Sequence, residues 1–129
     1  NFLSFLPESF SELEYLEICR LRKNKILLAP GVFEGLKKLI ELDIRDNAIR
    51  EMYSDIGSCV SLMKMNLSKN SISLLPPEIG LLTALQEIDL YKNQLVNLPP
   101  ELGACVKLER IDLSYNQLIG CLPDKIGLV

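Results

Sequence analysis

Histidine is absent from this chain of 129 residues, and neither a block of like charges nor a long apolar run interrupts it. Each absence removes a class of function. Without histidine the commonest general acid–base residue and the commonest metal-ligating nitrogen are both missing. No Cys/His cluster with zinc-ligand spacing is present, and no glycine loop leads into a Lys-Ser or Lys-Thr pair that would cradle phosphate. We therefore expect no catalytic residue, no metal and no cofactor in this stretch. The formal net charge of −3 leaves no basic stripe for nucleic acid or an anionic membrane surface. Nothing approaches the roughly 18–20 apolar residues that span a bilayer, so membrane insertion is not expected. The opening residues Asn1-Phe2-Leu3-Ser4 lack the basic flank of a signal peptide.

What the chain has is a period. Residues Leu85 to Leu95 read Leu-Gln-Glu-Ile-Asp-Leu-Tyr-Lys-Asn-Gln-Leu, and the same spacing recurs at Leu16–Ile26, Leu39–Ile49, Leu62–Ile72 and Leu108–Leu118. The asparagines Asn24, Asn47, Asn70, Asn93 and Asn116 mark it at intervals of 23 residues. Alternation sends Ile88 and Leu90 to one side of a short strand, and Glu87, Asp89 and Tyr91 to the other. The asparagine amide has both donors and an acceptor for backbone groups left open where the chain turns inward. Stacked, these residues form a ladder of amides beside a parallel sheet. One unit cannot bury its apolar side alone, so the core exists only through stacking.

Phase divides the single domain 1–129 into a partial unit 1–15, full units 16–38, 39–61, 62–84 and 85–107, and an incomplete unit 108–129. Both ends fall partway through a unit and neither reads as a cap, so a fragment of a longer chain is expected. The uncapped ends also suggest end-to-end self-association. The outer half is most regular in Leu75-Pro76-Pro77-Glu78-Ile79-Gly80 and Leu98-Pro99-Pro100-Glu101-Leu102-Gly103. Proline suits entry to a helical turn and glycine its exit, so each unit is expected to add a short helix or 3₁₀ segment.

The pattern L-x-x-L-x-L-x-x-N-x-L resembles the leucine-rich repeat family. Its outer half L-x-x-L-P-x-x-I-G is similar to the 23-residue intracellular class found in Ras-binding and Scribble-like scaffolds. The resemblance implies an α/β solenoid with a curved parallel sheet on the concave face and short helices or 3₁₀ turns on the convex face. The last unit departs, with Gly120 and Pro123 resembling the plant receptor-kinase pattern.

The four cysteines read as small core residues. Cys19 takes a strand slot. Cys59 and Cys105 share an outer slot two units apart, about 10 Å, which is too far for a disulfide. Cys121 lies near the end, without a clear phase. Unpaired thiols favour a reducing compartment, hence a cytoplasmic protein.

Strand-facing residues fall into columns by phase. The first holds Ile18, Glu41, Lys64, Glu87 and Arg110; the second holds Arg20, Asp43, Asn66, Asp89 and Asp112. The third holds Arg22, Arg45, Ser68, Tyr91 and Ser114; the fourth holds Lys23, Asp46, Lys69, Lys92 and Tyr115. The alternation Glu41-Lys64-Glu87-Arg110 reads either as a charge ladder that balances itself or as a stripe for a partner. Arg20, Arg22, Lys23 and Arg45 make a basic patch, offset in part by Asp43 and Asp46. Tyr91 and Tyr115 with Asp89, Lys92 and Asp112 make an aromatic and acidic one. Asp89 and Asp112 are adjacent like charges, unfavourable unless a basic partner compensates.

The candidate partner-binding residues are Arg22, Arg45, Asp89, Tyr91, Lys92, Asp112 and Tyr115. Exposed tyrosine beside charge is a common interface anchor, although tyrosine also simply tolerates a half-exposed strand. Asn66-Leu67-Ser68 matches a glycosylation sequon inside a strand and reads as chance. The expected function is a non-enzymatic module that binds another protein on the concave face in intracellular signalling or scaffolding. Two other readings stay open: a recruiting segment of a larger enzyme such as a kinase or GTPase, and a plant-like receptor ectodomain.

Overall fold

Each strand slot yields three residues of strand and no more. They are β1 Ile18–Arg20, β2 Glu41–Asp43, β3 Lys64–Asn66, β4 Glu87–Asp89 and β5 Arg110–Asp112, in a computed structural model that describes residues 4–119. Among the described residues the strands form one parallel sheet in chain order. The register pairs like phases, Cys19 with Leu42, Met65 with Ile88 and Ile88 with Ile111. Identical spacing makes this register the one in which every apolar slot stacks on its equivalent. The strands end quickly because the chain then turns. Lys23, Asp46, Lys69, Lys92 and Tyr115 all have left-handed backbone, with φ between 55 and 59°. The third and fourth columns expected on the strands therefore both lie past their ends, the fourth in the left-handed turn itself.

The return path carries 3₁₀ segments η1 Glu8–Glu12, η2 Ser54–Ser58, η3 Pro77–Leu81 and η4 Pro100–Ala104. Pro77 and Pro100 sit in the first turn, where no N–H is required. The expectation of one such segment per unit fails between β1 and β2, where residues 30–35 form turns only. Gly31 occupies the phase of Pro77 and adopts φ 90°, which no right-handed helical turn accepts.

The core lies between sheet and return path. Leu39, Leu42, Ile44, Ile49, Leu62, Leu67, Ile72, Leu85, Leu90 and Leu95 are each 0% exposed, and Met65 and Ile88 are 1%. Equivalent residues nearer the ends, Leu16 and Ile111, are only partly buried. Burial thus comes from neighbours on both sides. Cys19, Cys59 and Cys105 are free and buried, while Cys121, Gly120 and Pro123 lie outside the described residues.

Candidate functional site

The asparagines tie successive turns together. Asn70 Oδ1 accepts the N–H of Ile49 at 3.0 Å, while its Nδ2 donates to the carbonyls of Ile44 and Leu67 at 3.1 and 3.0 Å. Asn47 and Asn116 repeat the pattern, their Oδ1 atoms accepting from Ile26 and Leu95. At the first turn, Asn24 Nδ2 donates to the Arg22 carbonyl at 3.0 Å. This network fixes the turns and so aims the residues before them.

Those residues line a concavity of about 920 Å³ along β2 to β5. Its charged and polar lining comes from the first and second columns, with Glu41, Lys64, Glu87 and Arg110 on one line and Asp43, Asn66, Asp89 and Asp112 on the next, and Ser114 joins it from the third. The first line pairs incompletely. Arg110 meets Glu87 at 3.5 Å, but Glu41 turns to Arg20 at 2.8 Å, and Lys64 forms no ion pair among the described residues. The Arg20 hydrogen bond holds the Glu41 carboxyl below its ordinary pKa.

The second line has a use that sequence reasoning missed. Asp43, Asn66, Asp89 and Asp112 each accept, through Oδ1, the N–H two residues on, at Arg45, Ser68, Tyr91 and Ser114. The signal was readable, since only Asp and Asn occupy these four slots and both favour such turns. Ser114 also donates its hydroxyl to Asp112 at 2.6 Å, and these bonds lower the Asp112 pKa.

The basic patch is more fully offset than its sequence implied. Asp43 receives Arg22 at 3.9 Å and Arg45 at 3.6 Å, and it is itself largely buried. Tyr91 and Tyr115 meet edge to face with ring centroids 5.4 Å apart. Asp89 and Asp112 are register partners on β4 and β5, two residues before Tyr91 and three before Tyr115 respectively. The structure therefore gathers Asp89, Tyr91, Asp112 and Tyr115 at one end and Arg22 with Arg45 at the other. Lys92 sits in the left-handed turn between Tyr91 and Asn93. Among the described residues no three His, Cys, Asp or Glu side chains converge to hold a metal ion, and no helix is long and apolar enough to cross a membrane.

Comparison with known proteins agrees with this geometry. A family model described as leucine rich repeat matches residues 60–118. A leucine-rich repeat protein of Leptospira interrogans superposes with TM-score 0.86 at 32% identity, over 92% of this chain and 30% of that one. An internalin of Listeria monocytogenes gives TM-score 0.80 at 21% identity, over 98% of this chain and 36% of that one, a likeness of fold. The chain thus spans about a third of the length of either neighbour. No curated protein sequence matches it. The phased asparagines, the in-register parallel sheet and these similarities make the chain a member of the leucine-rich repeat proteins.

Proposed function

We propose that this segment is a protein-binding module that engages its partner on the concave face, in cytoplasmic signalling or scaffolding. The observation that carries the reading is the concavity along β2 to β5, lined by charged side chains in fixed columns. Extended concave surfaces of this kind are what solenoids use to bind. Arg22, Arg45, Asp89, Tyr91, Lys92, Asp112 and Tyr115 are the proposed contacts, of which Asp89 and Asp112 line that concavity. Tyr115 supports this assignment, being 73% exposed with its ring held against Tyr91. A rigid exposed aromatic offers contact area at little entropic cost. The cytoplasmic setting is supported by three buried thiols that are all free.

Affinity capture tests the reading, with the native segment beside a Tyr91→Ala, Tyr115→Ala, Arg45→Glu variant whose fold is checked by circular dichroism. The expected result is a partner kept by the native segment and lost by the folded variant. Equal capture by both would move the binding surface off this face.

A further inference from the structure

We infer that the partner segment seated on the concave face presents a lysine or arginine to its C-terminal end, over Asp89 and Asp112. This rests on the protein-binding reading above and adds the partner's chemistry to it.

Charge divides the sheet face. Over β1 and β2, three arginines meet two carboxylates, Arg20 on Glu41 and both Arg22 and Arg45 on Asp43. Over β4 and β5, Arg110 meets Glu87, and Asp89 and Asp112 have no ion pair among the described residues, Lys64 on β3 and Lys92 in the turn after β4 pairing with neither. These two are register partners on neighbouring parallel strands, about 5 Å apart, so their charges repel. The Ser114 hydroxyl and N–H favour the ionised form of Asp112. Each carboxylate uses Oδ1 in its own turn, and the second oxygen remains as an acceptor.

A guanidinium or ammonium bridging those second oxygens would make charge-assisted hydrogen bonds to both. Beside them stands the edge-to-face pair of Tyr91 and Tyr115, against which an alkyl stem packs and a cation finds a ring face. An acidic or phosphorylated segment would instead add a third negative charge. At these two carboxylates charge complementarity therefore selects a basic group.

The test is a titration of the folded segment with a short alternating arginine–alanine peptide and with its glutamate–alanine counterpart. Asp89→Asn with Asp112→Asn keeps the Oδ1 acceptors and removes both charges. Glu78→Gln with Glu101→Gln, on η3 and η4, makes the same change of net charge elsewhere. The basic peptide should bind, weaken about tenfold or more in the aspartate variant and stay within about twofold in the glutamate variant. Binding of the acidic peptide, or equal loss in both variants, would overturn the assignment. Cross-linking of the captured partner separates this from failure of the parent reading. A footprint on β4 and β5 that is insensitive to the aspartate variant removes only the cation. One confined to η2–η4 removes both.

Discussion

Asn93 holds Ile72, in the unit before its own, through its side chain: Oδ1 accepts the Ile72 N–H at 3.0 Å, and Nδ2 donates to the Leu67 carbonyl at 3.0 Å. Asn93 is 6% exposed, so water cannot take over either bond. Asn93→Ala should cost on the order of 3 kcal/mol, because it strands a buried donor and an acceptor. Asn93→Asp should be no rescue at neutral pH, since a carboxylate only accepts. Protonation at acid pH restores a donor and should narrow the gap to wild type. Denaturant midpoints measured across pH would show this; wild-type stability for Asn93→Asp at pH 7 would refute it.

Leu90 is 0% exposed at the centre of the stack. Leu90→Ala should cost roughly 2–5 kcal/mol through lost burial and a residual cavity. A chemical denaturation curve superimposable on wild type would mean that the stacking at this slot is not what supports the fold.

Two glycines should fail for different reasons. A Cβ on Gly80 would lie 2.6 Å from the backbone oxygen of Glu101 in the next unit, so Gly80→Ala forces η3 and η4 apart. We expect a loss of about 1–3 kcal/mol by overpacking. Gly31→Ala makes only an ordinary contact, with Glu34 Oε2 at 3.9 Å, but it places alanine at φ 90°. That strain should cost about 1–2 kcal/mol. Crystal structures of the two variants would differ in kind, with shifted units in the first and local turn strain in the second.

The left-handed turn predicts a gain. Lys69 has φ 56°, and its N–H donates to the Tyr91 carbonyl at 2.8 Å. Asparagine tolerates this conformation better than lysine and keeps the N–H. Lys69→Asn should stabilise by about 0.5–1 kcal/mol, read as a higher thermal midpoint. A lower midpoint would mean that the lysine side chain contributes more than the backbone strain removes.

Buried thiols set an alkaline limit. Burial, with Asp55 and Cys19 adding, raises Cys59 to about 12, and burial with Asp43 raises Cys19 to about 11. In the unfolded chain both titrate near ~8.5. The folded state keeps protons the unfolded state has released, so this contribution is complete below about pH 8.5 and is lost as pH rises toward the folded values. The denaturation midpoint should fall through this window, and the fall should shrink in Cys59→Ala. Site-resolved alkylation at neutral pH should label Cys19 and Cys59 only as fast as the chain unfolds.

Periodicity alone carried the fold. The spacing of Leu85, Ile88, Leu90 and Asn93 determines strand, turn and stacking, because a unit with one apolar edge has no stable solution but to repeat its register against its neighbours. The columns followed from the same arithmetic, and the pairing of Lys64 with Glu41 and with Glu87 on its two neighbouring strands is the register observed. Tertiary structure alone decided where the side chains went within those columns. Arg20 reached diagonally to Glu41, and Asp43 drew in two arginines. Long side chains choose among partners by distance, which spacing does not encode. The left-handed backbone at Lys23, Asp46, Lys69, Lys92 and Tyr115 was likewise hidden. None of these is glycine or asparagine, and the conformation is imposed by hydrogen bonds to the next unit, such as Lys92 N–H to the Ser114 carbonyl at 2.9 Å. Local preference says nothing of a neighbour 22 residues away, and that neighbour is what overrides it.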